Sequence, residues 1–160
     1  MSAALITATF LGISGLFYSA YLGFIVIETS DILAHTSFSI FSTLITLLAH
    51  SMTMFYLIGK GKAIREAADE NSLSSAFYRD VALARRPVFS QATIAMALTI
   101  VTAVFGGGVD TGTIPIFFHS TLAIVAIVSN CFALRVEILA MLTCARIVAE
   151  VDALLEGRTD

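Results

Sequence analysis

Residues 33–58 read LAHTSFSIFSTLITLLAHSMTMFYLI, a stretch without one Asp, Glu, Lys or Arg. Wound as an α-helix at 1.5 Å per residue it measures about 39 Å, more than the roughly 30 Å of a bilayer's hydrocarbon core. A run this long and this free of charge predicts a membrane-spanning helix. Three further runs meet the same test, Ala3–Ile27, Val88–Phe105 and Ile114–Leu134. The fold class expected is therefore all-α, a four-helix transmembrane bundle in a lipid bilayer. The whole chain agrees, with only 13% charged residues among 160 and a mean hydropathy of +0.91, whereas soluble domains carry about 25% charge. The first run lacks the basic leader and the cleavage site of a signal peptide, so it is read as a span. A formal charge of −3 offers no basic field for nucleic acid, which is excluded as a partner.

Basic residues set the expected orientation. Lys60, Lys62, Arg65, Arg79, Arg85 and Arg86 lie between spans two and three, and Arg135, Arg146 and Arg158 follow span four. The connections at Glu28–Ile32 and Gly106–Thr113 contain no Lys or Arg. The positive-inside rule then predicts a multi-pass protein, of a bacterial inner membrane, with both termini cytoplasmic. The cytoplasmic loop 59–87 should continue span two as helix to about Glu70, break at Asn71-Ser72, and form a short helix over Leu73–Arg86, with Pro87 marking the entry to span three. A cytoplasmic helix over 135–156 should extend span four. Gly106-Gly107-Gly108 and Asp110-Thr111-Gly112 predict a tight outer turn, with Pro115 opening span four. No internal repeat is apparent.

In lipid, helix contacts are marked by small residues and interhelical hydrogen bonds. Gly12, Gly15, Ser19 and Gly23 form one stripe on span one and predict close helix packing. On span two, Asp31, His35, Ser39, Ser42, Thr46, His50 and Thr53 fall within an arc of about 100°. His119, Asn130 and Glu137 share a face of span four. His50 and Asn130 lie at matched depth and are expected to form an intramembrane polar pair. No carboxylate is expected in the middle of a span.

Asp31 and His35 lie one helical turn apart at the outer end of span two, and His119 lies about one turn inside the outer end of span four. In helical bundles such inward side chains on facing helices assemble metal sites. Asp31, His35 and His119 predict a divalent transition-metal site for copper, zinc or iron, with Asp110 and Glu28 as further oxygen ligands. Haem is the less favoured cofactor at this stage, because the outer connections hold no cation to receive its propionates. Cys131 and Cys144, about 20 Å apart if helical, predict no disulfide.

No hydrolase, P-loop or zincin motif is present, so catalysis is not expected. Three functions compete: a metal-binding membrane protein working as a homo-oligomer or within a membrane complex; a non-catalytic accessory subunit of such a complex; and a proton or ion channel along the polar faces of spans two and four.

Overall fold

The computed structural model describes residues 1–157, and Arg158 lies outside them. Four α-helices follow one another, α1 (Ser2–Phe24), α2 (Thr29–Glu70), α3 (Ala76–Asp110) and α4 (Ile116–Glu156). Each is long and apolar enough to cross a membrane, and the chain is a four-span helical membrane protein. The helices form a ring in sequence order closed by α4 against α1; α2 also reaches α4 across the middle, while α1 and α3 do not meet. The α1–α2 and α3–α4 turns share one end, called here the hairpin end. The termini and the α2–α3 turn share the other, the terminal end.

Lipid is the solvent for the outer surface, which explains why Phe10, Phe41, Leu44, Phe55, Phe117 and Phe132 are all more than half exposed. The core lies toward the terminal end, where Leu57, Ile64, Val81, Val88, Ile147 and Val151 pack together. Toward the hairpin end the last buried residues are Ser19 on α1, Ser42 on α2, Thr99 on α3 and Ala126 on α4; beyond them no described residue is buried. The bundle is thus tight in one half and loosely packed in the other.

Two boundaries differ from the sequence reading. α3 is continuous from Ala76 through Pro87, with no separate helix ending at Arg86. Proline removes one helix hydrogen bond, here the one to the carbonyl of Leu83. Leu83 is 60% exposed, while Val81 and Val88 on either side of the break are fully buried, so packing holds the helix through the missing bond. At the hairpin end α3 also stays helical through its three glycines to Asp110. The turn comes later, at Gly112 with φ +70°, a left-handed conformation that glycine adopts without a Cβ clash. A Cβ on Gly108 would sit 2.6 Å from Ile114 Cδ1, so glycine there lets α4 start close beside α3.

The α1 stripe is spent within the chain. A Cβ on Gly12 would fall 2.7 Å from Thr46 Oγ1 and 3.0 Å from Thr46 Cα, and one on Gly15 would fall 2.6 Å from Ser42 Oγ. Backbone of α1 therefore lies directly on side chains of α2. Gly12→Ala is expected to cost about 1–3 kcal/mol, because the nearest obstacle includes backbone that cannot rotate away. Gly59, with nothing within 4 Å of an added Cβ, is the matched control. Gly59→Ala should gain about 0.5–1 kcal/mol from helix propensity. Thermal or SDS unfolding of both variants in one detergent reads the difference in sign.

Two histidine centres in the bundle

His35 on α2 and His119 on α4 face each other at the hairpin end, with ring centroids 6.3 Å apart and planes at 79°. Each ring is held the same way. His35 Nδ1 bonds the carbonyl of Ser19 at 2.9 Å, and His119 Nδ1 bonds the carbonyl of Thr102 at 3.1 Å. A carbonyl only accepts, so Nδ1 carries the proton on both rings and Nε2 is left with its lone pair. In both cases a glycine one turn further along the neighbouring helix makes room for the imidazole. A Cβ on Gly23 would lie 2.9 Å from His35 Cε1, and one on Gly106 would lie 3.1 Å from His119 Cε1. Ser19-x3-Gly23 with His35, and Thr102-x3-Gly106 with His119, are two copies of one local arrangement on the two hairpins. The repeat was not visible along the chain, since it consists of three positions per copy with a one-residue difference in spacing. Ser39 joins the first copy by giving its hydroxyl to the His35 carbonyl at 2.6 Å and meeting Ser19 Oγ.

The acidic residues expected near this pair are elsewhere engaged or exposed. Glu28 is the N-cap of α2, and Asp31 is the third residue of that helix. The Asp31 carboxylate accepts the backbone N–H groups of Glu28 at 2.9 Å and Ile27 at 3.0 Å. Together they form a capping box, in which each side chain satisfies a backbone donor of the other. Asp110 is exposed at the last turn of α3. Among the described residues no three His, Cys, Asp or Glu side chains form a group that could hold a metal ion.

The bonds from Glu28 and then Ile27 hold the Asp31 carboxyl below its ordinary range, with slight desolvation opposing them. A carboxyl depressed in the folded state stabilises it at neutral pH, and that contribution disappears as pH falls through the folded value. Protection of the amides at residues 27–31, measured against their intrinsic exchange rates, should therefore fall on acidification below about pH 4, the ordinary aspartate value. Asp31→Asn should show the lower protection at neutral pH already.

The second centre is fully buried where α2, α3 and α4 converge. His50 Nδ1 lies 2.7 Å from Glu137 Oε1 and His50 Nε2 lies 2.9 Å from Asn130 Oδ1. Asn130 Nδ2 donates to the Ala126 carbonyl at 2.7 Å and to Thr99 Oγ1 at 2.9 Å, while Thr99 gives its own proton to the Ala95 carbonyl at 2.8 Å. This chain has only one self-consistent direction. Asn130 must point its amide hydrogens at two acceptors, so its oxygen faces His50 and Nε2 must carry a proton. One further proton lies between Nδ1 and Glu137. His50 is 0% exposed and Glu137 1%.

Glu137, expected in the cytoplasmic helix 135–156, is buried within the bundle beside His50. The expected end of span four at Leu134, just before Arg135, takes that charge as the water boundary. Arg135 is on the lipid face, and the exposed apolar residues Leu139 and Leu142 continue beyond it. The signal available was the helical period that puts Glu137 on the face of Asn130. Between the two centres the α2 hydroxyls of Ser42 and Thr46 are enclosed. Thr46 donates to its own helix at Ser42 O, 2.8 Å away, and both residues are pressed against the α1 glycines. Ser42 Oγ and Thr53 Oγ1 are buried without a hydrogen-bond partner.

No protein-family model, curated protein or solved structure matches this chain.

Proposed function

We propose that this four-span membrane protein carries a metal centre bound by His35 and His119, and that the centre is a haem iron held in trans by the two imidazoles. One observation carries the reading: two Nδ1-anchored imidazoles on opposite helices with a centroid separation of 6.3 Å. Two metal–nitrogen bonds of about 2.0–2.1 Å would occupy about 4.1 Å of that 6.3 Å, and the remaining 2.2 Å or so matches two ring half-widths. A backbone carbonyl on the second ring nitrogen is the usual partner of a metal-ligating histidine, because it fixes the tautomer and ring orientation.

A bare divalent ion is less well served, since it would need a third and fourth ligand while Asp31 and Glu28 are occupied at the start of α2. Haem iron brings four nitrogens of its own and asks the protein for two. The haem carboxylates would meet the N-terminus of α4, which begins without a side-chain cap and presents the positive end of its dipole. A haem iron that both imidazoles held would have no position left for substrate, and the chemistry it would supply is one-electron transfer. By the distribution of Lys and Arg this centre belongs to the outer side of the membrane.

Purification in mild detergent from cells supplied with a haem precursor tests the proposal. Expected is about one haem per chain with a low-spin bis-imidazole spectrum in both redox states. A protein that holds neither haem nor stoichiometric copper, zinc or iron would leave the accessory-subunit reading in its place. Such a subunit would have to dock through faces other than Gly12 and Gly15, which α2 covers.

A further inference from the structure

A groove of about 570 Å³ runs between α1 and α4, walled by apolar residues that include Phe17, Tyr21, Phe24 and Phe132, and Arg135 lines it too. The other cations show why Arg135 is unusual. Lys62, Arg65, Arg79 and Arg146 each face a carboxylate at 3.5–3.7 Å. Lys60, Arg85 and Arg86 have no acidic partner among the described residues, but they lie nearer the α2–α3 turn than Arg135 does. Arg135 also has none, and it lies deeper. Eleven residues, about 16 Å of helix, separate it from Arg146, and exposed Leu139 and Leu142 fill that interval. A cation facing lipid at that depth is costly unless it is paired.

A second copy of the chain has no anion to offer there. Among the described residues the only carboxylate at that level is Glu137, which is 1% exposed and bonded to His50. We infer that the groove binds a single-chain anionic amphiphile, a long-chain fatty carboxylate, with its head on Arg135 and its tail along α4 toward Phe24. The groove's volume is within the range of small-molecule sites, and its length from Arg135 to Ile124 is about 16 Å of helix. A cation closing one end of an apolar slot selects a ligand with one anionic head and one hydrocarbon tail. A two-chain phospholipid needs a wider site and would have to sink its headgroup below the level of Lys60 and Arg86.

The test uses the full-length protein in detergent micelles with a diazirine-labelled palmitate as probe. Expected is saturable labelling at one site per chain, mapped to the Phe132–Arg135 segment and competed by unlabelled palmitate. Arg135→Gln should lower labelling about tenfold, while Arg86→Gln, an equal change in charge nearer the α2–α3 turn, should leave it unchanged. Far-UV circular dichroism and gel filtration verify that both variants fold, and Arg135→Lys should restore most of the labelling. Unchanged labelling in Arg135→Gln overturns the inference. So does stronger competition by phosphatidylglycerol than by palmitate, which would assign the groove to a phospholipid.

Discussion

Glu137→Leu should lower the stability of the bundle by about 3–5 kcal/mol, the range seen when one member of a buried ion pair is removed. The cause is the position of His50, which is wholly enclosed and cannot turn to water. Its Nε2 stays committed to Asn130, so without Glu137 the ring either keeps an unpaired charge or discards a proton and leaves Nδ1 as an orphan acceptor. Glu137→Gln should cost less, because its amide can donate to that nitrogen. The double variant His50→Leu/Glu137→Leu should recover part of the loss, since it removes both ends of the pair and keeps the Asn130 amide bonded to Thr99 and Ala126, while Asn130 Oδ1 loses its donor. A double-mutant cycle read by SDS or thermal unfolding isolates the coupling between the two side chains. Glu137→Leu within about 0.5 kcal/mol of the parent, the usual span of inconsequential surface changes, would mean that the network does not stabilise the fold.

The largest functional effect is expected at the other centre. On the haem proposal, His35→Ala and His119→Ala should each abolish most haem binding, because one remaining imidazole cannot complete a bis-imidazole centre. Neither should unfold the protein, since both imidazoles are only partly buried and the packed core lies toward the terminal end. Gly106→Val and Gly23→Val keep both ligands but drive a side chain into the imidazole, 3.1 Å and 2.9 Å from the two Cε1 atoms already at the Cβ. They should reduce haem occupancy and shift the spectrum of what is retained. Asp31→Asn separates the two kinds of centre. It should leave haem content unchanged, as its carboxylate serves the start of α2, whereas a bare ion bound by Asp31, His35 and His119 would be lost with it. Full haem retention in His35→Ala would exclude His35 as a ligand.

The two centres were unequally legible. His35 and His119 could be brought to one depth by counting residues from the ends of two helices that run in the same direction. Nothing in that count showed that Ser19 and Thr102 carbonyls would fix the ring tautomers, or that Gly23 and Gly106 would make the space. Glu137 was visible as a polar residue on the Asn130 face and yet assigned to water, because Arg135 two positions earlier seemed to end the span.

Sequence alone determined that lipid surrounds this chain and that four helices cross it. Uncharged runs of such length leave backbone groups in hydrocarbon no other partners than their own helix. Only the tertiary structure decided which polar groups meet. His50 and Glu137 are 87 residues apart, and a hydrogen bond at that distance depends on how three helices rotate against one another, which hydrophobic length does not encode.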